Sequence, residues 1–139
     1  MADLKARMER LYEEVFSQGN LDVIDELLAD DFVEHEELPP GIPQGKGAPR
    51  AYTTMFRSAF PDFRMTVEEM LQDGNKVISR VRVSGTHQGD FMGIPPTNNS
   101  FDVAAIDIIE FRDDKAIGHW GVMDMAGMME QLGVGGPPG

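Results

Sequence analysis

A chain of 139 residues, 41% of them hydrophobic, suits one domain with a single core and argues against disorder. Its 12 Lys+Arg against 24 Asp+Glu give a formal net charge of −12, which repels phosphate backbones and anionic membrane surfaces, so neither nucleic acid nor a membrane is an expected partner. The absence of cysteine removes disulfides, thiolate nucleophiles and cysteine-based zinc sites together.

The opening residues Met1-Ala2-Asp3-Leu4-Lys5 lack the apolar block of a secretory signal, and no apolar run approaches the roughly 18 residues of a membrane span. A cytoplasmic protein is expected. Leu4, Met8, Leu11 and Val15 recur at helical spacing and predict an amphipathic first helix ending near Gly19. Asn20 caps a predicted second helix, which turns Leu21, Ile24, Leu27 and Leu28 inward and stops before Phe32. Pro49 suits the first turn of a third helix. Its apolar stripe of Tyr52, Met55, Phe56 and Ala59 ends at Phe60-Pro61, because the residue before a proline leaves the α region.

From Phe63 the period becomes two. Phe63, Met65 and Val67 alternate with polar residues, Asp73-Gly74-Asn75 supplies a turn, and Val77, Ser79, Val81 and Val83 form one face of the next strand. The irregular segment from Gly85 to Phe101 is too long for a hairpin turn, and an excursion of this length usually serves a site. Phe101, Val103, Ala105, Asp107, Ile109 and Phe111 then share one strand face. Arg112-Asp113-Asp114-Lys115 turns into a last strand over 116–123, and Met125, Met128, Met129 and Leu132 form a short helix closed by Gly133. Helices first and antiparallel strands after them predict an α+β domain over residues 1–133, with residues 134–139 as a flexible tail. A sheet curved round its helices leaves a concave mouth for a small molecule.

Asp107 interrupts an otherwise apolar strand face. A carboxylate desolvated there can exchange protons near neutral pH; alternatively that face is the outer one, or Asp107 pairs with Arg80 or Arg82. His119, on the last strand, can donate and accept protons, or be a hydrogen-bonded core residue. Asp124 opens the last helix and reads equally as its cap or as a carboxylate at the pocket mouth. His35 stands among Glu34, Glu36 and Glu37 and is a candidate polar pocket group; such a run of acids is usually solvated, and no metal is expected. Tyr52 and Trp120 are walls for a flat aromatic ligand or plain core, with Phe56 and Met123 as further expected contacts. No Gly-Lys-Ser/Thr phosphate loop and no Gly-x-Ser-x-Gly elbow is present.

The GxHxGxxxGxPPT wording of Gly85–Thr97, the Ile117-Gly118-His119-Trp120 run and the closing Gln131-Leu132-Gly133 resemble the SnoaL-like polyketide cyclases, within the ketosteroid-isomerase-like cone superfamily. The resemblance implies a cone-shaped barrel, a strongly bent antiparallel sheet wrapped round the N-terminal helices. It also implies cofactor-free acid/base chemistry, namely aldol ring closure or isomerisation of an apolar or aromatic carbonyl compound, and a polar pocket group near His35. The family pattern has a carboxylate two residues after the last strand's histidine and an assisting histidine on the preceding strand. Here those places hold Gly121 and Asp107. Asp107 with His119, and Asp124 as a second proton partner, is then a relocated pair or no pair. The alternative is a non-catalytic ligand-binding or assembly module; the apolar Val103, Ala105, Ile106 and Ile108 suggest a homodimer or higher homo-oligomer.

Overall fold

Asp3 starts the first helix by accepting the Ala6 amide on its side chain, and a computed structural model describes the chain from there, over residues 3–37 and 41–134. Helix α1 (Leu4–Arg10) continues without a break as a wider, π-helical segment over Leu11–Ser17. Within it the Gln18 amide reaches back five residues to the Glu13 carbonyl. Met8, Leu11, Tyr12 and Val15 are buried along one stripe. Helix α2 (Asp22–Leu27) is shorter than its periodicity suggests, because from Leu28 the backbone pairs with the last strand of the chain. Tertiary pairing here overrides the helical spacing of Leu28, which stays buried as a strand residue.

That pairing makes Leu28–Glu34 a strand, β1. Helix α3 (Gly47–Ala59) holds Pro49 in its first turn and stops at Phe60, before Pro61. Strands β2 (Arg64–Asp73), β3 (Lys76–Thr86), β4 (Ser100–Arg112) and β5 (Lys115–Met123) follow. The sheet order is β1-β5-β4-β3-β2, with β1 parallel to β5 and every other pair antiparallel. The α+β class is the one expected. The sheet is antiparallel except at one edge, and it is open rather than closed.

Period two decides which face each residue takes. Phe101, Val103, Ala105, Ile109 and Phe111 of β4 are buried against the helices with Val77, Val81 and Val83 of β3, while Ile106 of β4 stays exposed on the outer side. The apolar faces of β4 are therefore split, with Val103 and Ala105 inside and Ile106 outside. Helix α4 (Met125–Leu132) returns over β4 and ends at Gly133, whose φ of 80° is the left-handed value a helix terminator needs.

The long segment between β3 and β4 is anchored, not loose. Gln88 and Gly89 both donate to the Ala59 carbonyl at the end of α3, His87 and Asn99 pair through the backbone, and the Asn99 side chain donates to Leu132 of α4. At Gly89 a Cβ would collide with the Ser58 carbonyl, so only glycine allows this approach. Among the described residues no helix is long and apolar enough to cross a membrane. The expected flexible tail lies, from residue 135 onward, outside the described residues, as do Pro39 and Pro40.

Candidate active site

The π-helical segment, β1, α3 and the inner face of the sheet border an open-mouthed hollow. Leu11, Phe16, Phe32, Tyr52, Val83 and Met123 give it apolar walls. Its polar groups arrive on four separate elements: Tyr12, Glu34 with Glu36, Asp107 and His119.

Strand register brings them together. Glu34 of β1 lies beside His119 of β5, and Asp107 of β4 lies beside Gly121, two residues further along β5 on the same face. The imidazole is held at both nitrogens, with Nδ1 2.5 Å from Glu34 Oε2 and Nε2 2.8 Å from Asp107 Oδ1. The Tyr12 hydroxyl donates to the other Asp107 oxygen, Oδ2, at 2.8 Å. Burial works against the imidazolium, but the hydrogen bonds and charges of Asp107 and Glu34 outweigh it and push His119 up to about 10. Near neutrality His119 is a cation donating to two carboxylates. Burial, reinforced by the Asp107 charge, lifts the Tyr12 phenol far above its ordinary value, so it serves as a donor. Burial likewise raises Tyr52, and the nearby Glu36, Asp107 and Glu34 add to that effect.

Glu36 differs from its neighbours. Its carboxyl makes no hydrogen bond among the described residues. Burial pushes it up, the His119 charge opposes and the Asp107 and Glu34 charges reinforce, and it titrates at about 7. The position two residues after His119 is Gly121, and its empty side is what admits these groups. A Cβ there would stand 2.5 Å from Asp107 Oδ1, 2.6 Å from Glu36 Oε1 and 2.9 Å from His119 Cε1. Glu36, Asp107 and His119 present ligand atoms within 4.8 Å of one another. Both nitrogens of His119 face carboxylates, an arrangement suited to proton transfer.

Asp107 and His119 meet in the hollow, and the alternative arginine partners are engaged elsewhere, Arg80 with Glu68 and Arg82 with Asp102. Tyr52 and Met123 line the hollow, whereas Phe56 is fully buried behind Tyr52, their rings 4.5 Å apart. Asp124 accepts the Gly127 amide as the cap of α4 and does not line the hollow. His35 and Trp120 do not line it either. Each lies one residue from an inward group, so alternation turns both to the other face, where their rings stack at 4.2 Å and Lys76 sits 5.6 Å above the indole. The sequence reading missed Tyr12, Glu34 and Glu36 as site residues. Tyr12 is four residues from Met8 on the buried helical stripe, and Glu34 and Glu36 share the parity of buried Phe32; both signals were present.

The model of the SnoaL-like polyketide cyclases matches residues 6–132. The chain belongs to the SnoaL-like polyketide cyclase family. Nogalonic acid methyl ester cyclase of Streptomyces nogalater is 27% identical to it over 119 residues, 85% of this chain and 89% of the relative. The crystal structure of IdmH from Streptomyces antibioticus superposes with a TM-score of 0.83 at 32% identity, covering 96% of this chain and all of that one. TsrD from Streptomyces laurentii gives 0.84 at 26% identity, covering 96% and 98%. SnoaL-like membership supports a cyclase- or isomerase-type function. Position 121, where the resemblance implied a carboxylate, is held by a glycine whose side is vacant.

Proposed function

We propose that this protein closes a ring in an apolar, uncharged carbonyl compound by acid/base-catalysed intramolecular aldol condensation, without a cofactor. The observation that carries this reading is His119, held as an imidazolium between Asp107 and Glu34 in the wall of an apolar hollow. In such a reaction a carbon next to one carbonyl loses a proton, the enolate carbon bonds to a second carbonyl carbon, and that carbonyl oxygen gains a proton. No atom is lost overall. The apolar walls bind the chain folded, which supplies proximity. His119 delivers the proton to the developing oxygen, and the bonds from Asp107 and Glu34 fix its ring for that transfer. Asp107 has both oxygens engaged, by His119 and Tyr12, which suits it to positioning His119 better than to removing a proton from carbon. A net acidic site in a chain of charge −12 disfavours anionic substrates, and the named substrate of the Streptomyces nogalater relative is a methyl ester.

The test is incubation with nogalonic acid methyl ester, with the product resolved by liquid chromatography and mass spectrometry as an isomer of unchanged mass. Replacing His119→Ala should lower kcat/KM by about 100- to 10,000-fold, the usual contribution of a positioned acid. No ring closure by the unmodified protein, or full turnover by the variant, would overturn the assignment.

A further inference from the structure

The reaction leaves one role without an owner, the group that takes the proton from carbon. Three carboxylates border the hollow and two are committed. Asp107 accepts from His119 and Tyr12, and Glu34 accepts from His119 and from the Glu36 amide. Glu36 lines the hollow with a carboxyl that no described residue engages. Its placement follows from the backbone. Beyond the end of β1 the chain keeps strand pairing for one more residue, the His35 amide donating to the His119 carbonyl at 2.8 Å. Alternation therefore sends His35 outward and Glu36 inward beside Glu34. There its Oε1 occupies the side of Gly121 that a side chain would fill.

We propose that Glu36 is the general base of this site, and that Gly121 is the vacancy that lets a carboxylate from just beyond β1 stand where β5 has no side chain. The inference rests on the acid/base reading above. The C–H bond next to the substrate carbonyl breaks, its proton passes to a Glu36 oxygen, and its electron pair forms the enolate. After the new C–C bond closes, His119 protonates the oxygen, and the proton on Glu36 returns to His119 or to solvent. The charged and titratable groups facing Glu36 are Glu34 on β1, Asp107 on β4, His119 on β5 and Tyr52 on α3, with Tyr12 behind Asp107. Burial among them is consistent with the task, since a base that titrates near 7 is both available and effective at neutral pH.

The probe is 5-nitrobenzisoxazole, an apolar molecule whose ring opens when a base removes its carbon-bound proton and the N–O bond breaks, releasing a coloured phenolate. The unmodified protein should accelerate this opening, with kcat/KM rising through a pH near 7. Glu36→Gln should lower it about 100-fold or more and abolish that rise. Glu36→Asp, which retracts the carboxylate by one methylene, should lose about tenfold and keep the rise. Asp107→Asn should retain the rise. An inert unmodified protein, a Glu36→Gln variant with full rate, or a rise that vanishes with Asp107→Asn alone would overturn the proposal. Glu36-dependent opening without turnover of nogalonic acid methyl ester would sink the cyclase reading and leave the base in place. Ring closure undiminished by Glu36→Gln would do the reverse.

Discussion

A single methyl group at position 121 should disable the site while sparing the fold. Gly121 does not adopt a left-handed backbone, so Gly121→Ala carries no conformational penalty, and alanine in a strand is if anything favoured over glycine by roughly 0.5–1 kcal/mol. The cost falls on the side chains. The new Cβ would lie 2.5 Å from Asp107 Oδ1 and 2.6 Å from Glu36 Oε1, against an ordinary contact of 3.4 Å or more, so each oxygen must retreat by about 0.9 Å or a little less. A retreat of that size stretches the 2.8 Å bond from His119 to Asp107 past the length at which it still counts as a hydrogen bond. Such a charge-assisted bond contributes about 1.5–3 kcal/mol, so the proton affinity of His119 should fall by about 10- to 100-fold. Misplacing catalytic groups by about 1 Å also costs about 100-fold in rate. Turnover of nogalonic acid methyl ester should therefore drop by two orders of magnitude while the melting temperature moves by only a few degrees. The His119 ring, followed by nitrogen-15 NMR across pH, should titrate at lower pH than in the unmodified protein. Turnover within twofold of the original, together with an unmoved His119 titration, would refute the geometric reasoning.

Stability should depend on pH in a signed way. His119 titrates at about 10 when folded and near 6.5 when unfolded, so its stabilisation is complete below 6.5 and disappears as pH rises toward 10. Glu36, raised to about 7 from 4.5, acts in the same direction through the neutral range. Asp25, Glu26, Asp30 and Asp31 are held below the usual carboxylate range by hydrogen bonds from Arg50, Arg10, Lys46 and Arg112, so their stabilisation is lost only in acid. Calorimetry should find the melting temperature falling steadily from about pH 6 to 10, with the alkaline part of that fall flattened in His119→Gln. Asp124→Ala should separate capping from catalysis: loss of the bond to the Gly127 amide should cost about 1 kcal/mol, some 4 °C in melting temperature, with turnover unchanged. A large loss of turnover there would return Asp124 to the catalytic set.

Local rules carried the fold far. The stripe of Met8, Leu11 and Val15, the Pro49 start and Pro61 stop of α3, and the alternation of Val77 to Val83 and Phe101 to Phe111 each depend on neighbours within a few residues, and the structure keeps them. Strand β1 was not legible in that way. Leu27 and Leu28 fit helical spacing, and only pairing with Ala116, nearly ninety residues away in the chain, turns Leu28 into a strand residue. The same blindness hid half of the site. Asp107 stood out because a charge among Ala105 and Ile109 is locally odd, whereas Glu34 and Glu36 looked like part of a solvated acidic run. Had β1 been recognised, parity with Phe32 would have placed both glutamates inside and His35 outside. Alternation along β5 likewise turns Trp120 away from the hollow that His119 faces and onto the His35 ring.

The widened turn of the first helix makes the length of the N-terminal segment a functional variable. Tyr12 sits at the start of Leu11–Ser17, and its hydroxyl meets Asp107 across a separation of 95 residues. Each residue in an α-helix advances the side chains by about 100°, so a one-residue deletion within 13–17 would restore ordinary winding downstream and rotate the helix that bears Tyr12 relative to the sheet. Surface turns elsewhere can absorb gained or lost residues without disturbing the hollow; this stretch cannot, and indels in it should be read as changes to the chemistry.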